Sequence, residues 1–324
     1  NKKNIVKNTI FFYFLTIITL LVFSLRTYSQ YSVNPYIQRI IVQNYGFENN
    51  NYSIIQDKNK IIYVGNSNGI LQYNGNTWNQ LDISGIPRMD IDMDGVIYVG
   101  LDNDFGYIEN KGTKSAFISL SDSLNAIKST FGQINQVFCN QQGVYFCSDN
   151  YLFCFNKSGV SLLKESKSKL KLFKVNGHIY LQVLDEGFYK LIQNQIRVIP
   201  QSLYFNGKTI LDILPYHERL LIKTKEDKGF FIFDNYTVEP FNTQADQFIE
   251  TNIYTQSRQL NNGDYAIGTQ LHGIIIINQQ GEIINHIEEI SGLYSLTVNA
   301  LYVDMEDNLW ALHDQGISRI EIPS

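Results

Sequence analysis

The feature that most constrains this chain is a unit of about 41 residues that recurs seven times. Its clearest copy is 61–78, IIYVGNSNGILQYNGNTW, in which two short strands are joined by Asn66-Ser67-Asn68-Gly69 and a further polar turn precedes Trp78. The apolar stretches are rich in Val, Ile and Tyr, which suit a half-buried pleated surface, and Asn and Gly tolerate the positive φ of a tight reversal. Weaker copies follow at 96–108, 144–155, 179–191, 220–233, 265–277 and 309–320. They align on Tyr63, Tyr98, Tyr145, Tyr180, Leu221, Tyr265 and Trp310, which stand 35 to 47 residues apart. Each anchor follows an apolar strand and a polar turn, such as 57–60, 92–95 or 304–308. Most units add a fourth apolar patch, such as 117–120 or 238–241.

One such sheet cannot hide both faces from water, but seven standing radially can. The period therefore predicts an all-β fold, a seven-bladed β-propeller of four-stranded antiparallel blades. An open solenoid is the alternative, disfavoured because antiparallel hairpins at this period are propeller units. The seventh unit stops after three strands, while the run 37–43, IQRIIVQ, has no other employment. It is expected to be the outer strand of the last blade, closing the ring and covering an open edge. The expected layout is a leader at 1–29, a segment at 30–51 that carries the closing strand, and the propeller at 52–324. A short helix is expected at 122–130, and the basic run 164–174, KESKSKLKLFK, reads as a solvated connection.

Composition narrows the function classes. With 26 Lys and Arg against 31 Asp and Glu the net charge is −5, unlike the basic footprint of a nucleic-acid binder. Lys2, Lys3 and Lys7 precede an apolar or hydroxyl run at 10–23, and Thr27-Tyr28-Ser29 places small residues ahead of a cut before Gln30. The run is short of the roughly 20 residues that a bilayer span needs, so it reads as a cleaved export signal. The folded part is then expected in an extracytoplasmic compartment, without ATP or NAD. Cys139, Cys147 and Cys154 have the spacing C-x7-C-x6-C, which fits no zinc pattern. They read as small buried side chains on adjacent strands, with a disulfide between neighbouring strands as the alternative.

Few motifs carry chemistry. The segment 90–95, DIDMDG, imitates the start of a calcium loop, but its twelfth position is Leu101 and strands flank it. Because the turn recurs at 304–308, it reads as a strand-joining device, and no metal is expected. The five histidines include no i, i+4 pair; His272 and His313 stand in equivalent loops ahead of Gly273 and Gly316, through repeat drift or a shared ligand face. Residues 74–78 are a partial echo of a sialidase box without its Asp. With no P-loop and no G-x-S-x-G, neither a cofactor nor a nucleophile is indicated. The aromatic anchors sit mid-strand and read as core between blades rather than as sugar platforms. Loops between second and third strands are expected to converge on one face near the axis. Asn66, Asn68, Asp102, Asp149, Asp185, Lys225, His272 and His313 are the candidates for ligand contact there, since loops on a rigid scaffold carry function.

The motif GNSNGILQYNGNTW and the repeated D-x-x-G/N-x-(I/L)-(Y/W)-V-G pattern resemble the two-component-regulator propeller repeat. The passage from Asn34 to Trp78 is similar to the start of bacterial triple-tyrosine-motif regulators, and DNLWALHDQGISRIEIPS to the close of their first propeller. The resemblance spans about residues 34–324 and is weakest in the fourth and fifth units. It implies an extracytoplasmic sensor propeller, followed by a β-sandwich, a membrane span, and a histidine kinase or helix-turn-helix output. The partners it implies are an oligosaccharide or another small ligand, those downstream parts, and a second copy in a homodimer, with no nucleic acid bound by this region. Three function classes follow: a non-catalytic sensor or interaction propeller, a secreted hydrolase or lyase acting on polysaccharide, and a plain protein-interaction scaffold. Paired carboxylates about 5–10 Å apart in a deep axial pocket would favour the enzyme. A face of amides and aromatics with few acids would favour the sensor, and a broad exposed apolar rim the scaffold.

Overall fold

The computed structural model describes residues 35–42, 46–48, 50–111, 114–124, 131–314 and 316–322. The expected leader at 1–29 lies outside them, as do residues 125–130 of the expected helix. Its first part is a single 3₁₀ turn, Ser121–Leu124. Seven four-stranded antiparallel sheets make a seven-bladed propeller. In blades 1 to 6, at 51–81, 88–119, 136–165, 170–198, 210–241 and 254–287, four consecutive strands pair in chain order. Blade 7 takes three strands from 298–321 and its outer strand, Tyr36–Ile40, from the other end of the chain. Gln38 lies opposite Arg319 and Ile40 opposite Ile317, so the closing strand forms where the sequence places it.

The turn between first and second strands shows why its motif recurs. Asp57, Asp92 and Asp304 each turn Oδ1 back to accept from two backbone N–H groups, those of Asn59 and Ile61, Asp94 and Val96, and Glu306 and Asn308. The fourth residue of each turn, Lys60, Gly95 or Asp307, has φ between 66° and 88°, where glycine is least strained. The anchor six residues after the Asp reaches back to it: Tyr63 Oη donates to Asp57 and Trp310 Nε1 to Asp304. Of the calcium-like segment, Asp92 is thus part of the turn, while Asp90 Oδ2 accepts from Cys139 N of the next blade.

Along each strand the side chains alternate between the two neighbouring blades. Val64 and Leu71 pack towards blade 7, while Tyr63 and Ile70 pack towards blade 2. Seven apolar clusters result, one between each consecutive pair of blades, the seventh and first included. All seven anchors are buried within them. The recurring V-G explains how closely the blades approach. A Cβ on Gly65 would lie 2.4 Å from Pro87 O, and one on Gly100 would lie 2.2 Å from Ile134 Cγ2, both on the chain entering the next blade. Cys139, Cys147 and Cys154 are buried free thiols.

Two sequence expectations are corrected. The basic run at 164–174 is not one solvated connection: its start belongs to the strand Gly159–Glu165 and its end to Leu170–Val175, the innermost strand of blade 4. A helix not expected from the sequence, Asp246–Asn252, joins blades 5 and 6. Thr243 braces its start, its hydroxyl donating to Asp246 Oδ1 and accepting from Ala245 N, and Ala245 and Ile249 sit in the apolar cluster there. Among the described residues no helix is long and apolar enough to cross a membrane.

The seam between blades 7 and 1 gives a direct expectation. Ile40→Ala should lower the unfolding free energy by about 2–4 kcal/mol in urea titrations, because it opens a cavity in that cluster. Tyr36→Ala, on the same strand but 65% exposed, should change it by less than about 0.5 kcal/mol. Gly65→Ala, which pushes a methyl group into Pro87 O, should cost about 1–3 kcal/mol.

Candidate functional site

Seven first strands stand innermost around the axis: Asn51–Gln56, Arg88–Ile91, Gln136–Asn140, Leu170–Val175, Ile210–Tyr216, Tyr254–Gln259 and Val298–Val303. Together they line an axial channel with a cavity of about 610 Å³. An innermost strand is paired on one side only, so its inward main-chain groups need other partners. Side chains on neighbouring inner strands supply them, blade by blade. Ser53 Oγ donates to Pro87 O at 2.8 Å, just ahead of the second inner strand. Asp90 Oδ2 accepts from Cys139 N at 2.7 Å. Gln136 grips both main-chain groups of Leu172, at 2.7 and 2.8 Å. Lys171 Nζ donates to Ile210 O and Leu211 O, and Asp212 Oδ2 accepts from Ser257 N. Gln256 Oε1 accepts from Leu301 N, and Tyr302 Oη accepts from Gln56 N. Each of the seven inter-blade steps around the axis is bridged.

The channel wall is rich in amides, aromatics and cations. Asn135, Gln136, Gln256 and Gln259 share it with Tyr52, Phe138, Phe173 and Tyr302. Its cations are Arg88, Lys171, Lys174 and Arg258, and its carboxylates are Asp90 and Asp212. Both carboxylates are engaged. Asp90 pairs with Lys174 at 2.8 Å while holding Cys139 N. Asp212 accepts from Tyr254 Oη at 2.6 Å and faces Arg258 at 3.8 Å. Burial, aided by the neighbouring Asp212 charge, pushes the Tyr254 phenol well above its usual range. The wall therefore offers positive charge, donors and flat apolar faces.

The eight loop residues expected to contact a ligand are at the ends of second strands or in the loops that follow, on the face where the inner strands begin. The chain reversals show this: Asn51 pairs with Asn66, Leu170 N bonds Asp149 O, and Lys225 N bonds Thr209 O. They stand outside the ring of inner strands, and none belongs to the channel wall. Asp102, Asp149, Asp185, Lys225 and His272 are exposed and Asn68 is half-buried. Asn66 is fully buried, its amide donating to Glu48 O and Asn51 Oδ1. His313 is fully buried too, with Nδ1 2.9 Å from Thr297 O and Nε2 2.9 Å from Ser318 Oγ. A carbonyl can only accept, so Nδ1 carries the proton and Nε2 accepts from the serine. The two histidines are not equivalent, contrary to the sequence expectation: His313 ends the strand Asn308–His313 at the position that Thr269 holds in blade 6, and His272 stands in the loop beyond. The channel residues were not marked by any motif; the signal was the pair of lysines, Lys171 and Lys174, set at i, i+3 in an otherwise apolar strand.

Among known proteins, no family model and no curated relative matches the sequence. Solved structures share the fold. The extracellular domain of the one-component system BT4673 from B. thetaiotaomicron matches with a TM-score of 0.65 and 17% identity, over 90% of this chain and 40% of that one. That of the hybrid two-component system BT3049 from the same organism matches at 0.63 and 14%, over 88% and 42%. The chain thus spans about two fifths of those domains. Virginiamycin B lyase from Staphylococcus aureus matches at 0.66 and 11%, over 89% of this chain and all of that one.

Burial drops the His313 pKa from 6.5 to about 4. An unfolded chain takes up this proton near pH 6.5 and the folded chain only near 4, so between those values the unfolded state binds more protons. Stability should therefore fall as the pH is lowered from 6.5 towards 4, by on the order of 3 kcal/mol for this group. Urea titrations across that range should show the fall, and His313→Gln should remove this part of the slope.

Proposed function

We propose that this propeller is the extracytoplasmic, non-catalytic ligand-sensing or interaction part of a bacterial membrane-bound regulator, responsive to carbohydrate. The observation that carries the reading is the state of the two channel carboxylates. Asp90 and Asp212 both hold the ring together through main-chain N–H groups and ion pairs. A glycosidase or lyase needs an acid and a base free to exchange protons with substrate. A wall of amides, aromatic faces and cations suits recognition instead. The likeness of the repeat motif to regulator propellers, and of the fold to extracellular domains of such systems, supports the same assignment. Sugars are recognised by amide hydrogen bonds and aromatic faces, both present in the channel. The half-buried Asn68 and the exposed Asp102, Asp149, Asp185, Lys225 and His272 supply further contacts at the rim, while Asn66 and His313 hold their loops in shape.

A secreted propeller hydrolase or lyase is the second reading, favoured by the fold shared with virginiamycin B lyase over that enzyme's whole length. Calorimetry with a panel of oligosaccharides, followed by chromatography of the recovered ligand, separates the two. The sensor reading expects at least one saccharide to bind and to be recovered intact. It also expects Lys225→Ala or Asp185→Ala to weaken binding while leaving stability within about 0.5 kcal/mol. Time-dependent appearance of a shortened or unsaturated product would assign the enzyme.

A further inference from the structure

The charge of the channel runs against that of the molecule. The chain carries a net charge of −5, yet the channel wall sets Arg88, Lys171, Lys174 and Arg258 against Asp90 and Asp212 only. Lys174 is matched by Asp90 at 2.8 Å, and Arg258 faces Asp212 at 3.8 Å. Arg88 and Lys171 are left with dipoles. Arg88 donates from Nη1 to Tyr52 O, and its guanidinium carbon is 5.5 Å from the Tyr52 ring centroid. Lys171 donates to Ile210 O at 3.1 Å and Leu211 O at 2.8 Å, with Nζ 5.1 Å from the Phe173 centroid.

The two cations share a level. Arg88 pairs with Gly100 and Lys171 with Gln182, each two residues beyond the anchors Tyr98 and Tyr180. Gln136, opposite Cys147, stands at the same level on the blade between them. A second observation is independent of the charge count: Arg88 Nε is buried and, among the described residues, meets no acceptor. A buried guanidinium N–H without a partner is costly, and an oxyanion is the partner that guanidinium geometry fits best. Burial holds the pKa of both Arg88 and Lys171 below the ordinary value; at Lys171 the nearby Asp212 charge opposes the fall and Lys169 and Arg258 add to it. An anion in the channel would give each cation a charged partner, which neither Tyr52 O nor the carbonyls of Ile210 and Leu211 supply.

We propose that the axial channel binds a small organic anion through Arg88 and Lys171, so that the ligand sensed is an acidic sugar, one carrying a carboxylate, rather than a neutral one. This rests on the sensor reading for the sugar and on the wall itself for the charge. The amides and aromatic faces of the channel are left for hydroxyl groups and ring faces, and the two cations choose among sugars by charge.

Ligand-observed NMR and calorimetry on the chain, with sodium glucuronate and glucose as probes, test it. The expected result is that glucuronate binds roughly tenfold or more tightly than glucose. Raising sodium chloride from about 50 to about 500 mM should weaken glucuronate binding and leave glucose unaffected. Arg88→Gln and Lys171→Met should each lose roughly tenfold of the glucuronate affinity, while Lys157→Gln on the exposed surface changes nothing. Should both variants misfold, the salt dependence of the unaltered chain decides. Equal affinity for the two probes, binding indifferent to salt, or glucuronate binding kept intact in both folded channel variants would overturn the anion site. If neutral oligosaccharides bind and glucuronate does not, the charge assignment fails and the sensor reading stands. If glucuronate binds and is converted, the anion site stands and the sensor reading fails.

Discussion

What holds this molecule together is the sealing of one sheet by the next. A four-stranded blade has two apolar faces and no layer of its own to cover either. Burial of that surface is the main favourable term in folding, at about 25 cal/mol per Å² of apolar area. In a line of blades the two end faces would stay wet. In a ring there are no end faces, and the seventh interface therefore matters to all the others. Here it is built from both chain ends: Ile40 and Val42 from the N-terminal side meet Trp310, Leu312 and Ile317, and pack against Ile54, Val64, Leu71 and Tyr73 of blade 1. Tyr73 stacks on Trp78 at 4.8 Å and meets Trp310 edge-on at 6.3 Å, so aromatic contact runs through the seam.

The axis shows the same economy at the level of hydrogen bonds. Seven inner strands present unpaired edges to one narrow space, and the side chains that satisfy them also form its wall. Ser53, Asp90, Gln136, Lys171, Asp212, Gln256 and Tyr302 each bridge one step of the ring. Polar residues in a propeller channel are therefore not free to serve chemistry merely because they face a cavity. Asp90 and Asp212 are structural acids for this reason. Arg88 and Lys171 differ because their bonds go to carbonyls, which occupy donors without cancelling charge.

The ring was legible in the sequence because burial between blades repeats at fixed places. Tyr63 and its six counterparts had to be large and apolar, and Asp57, Asp92 and Asp304 had to fold back on their own turns. The closing strand was legible as an apolar run without a partner. The channel was not. Its lining residues are held at positions where an inner strand faces the axis, and there the fold asks only that a side chain reach the next blade. Serine, glutamine, lysine, aspartate and tyrosine all satisfy that demand, so no single residue type marks the position in every blade. Lys171 and Lys174 looked like part of a basic loop because charge outweighed the apolar residues between them, Leu172 and Phe173. The helix at Asp246–Asn252 is hard to see in the sequence for a similar reason: of its seven residues only Ile249 and the polar Asn252 are buried, too few to make an apolar period. Asn66 and His313 end their strands and point inward, which their places in the repeat do not reveal, because sequence position says which turn a residue adjoins and not which way it points.

The chain has two tryptophans, Trp78 and Trp310, and both are in the cluster between blades 7 and 1. Their fluorescence thus reports the seam alone, while far-UV circular dichroism reports all seven sheets. Urea unfolding followed by both signals tests most directly whether the blades depend on one another. If the ring stands only as a whole, the two curves coincide in midpoint and slope. Fluorescence change at lower urea, with most of the sheet signal intact, would mean that the blades survive with the ring open, and would contradict the account.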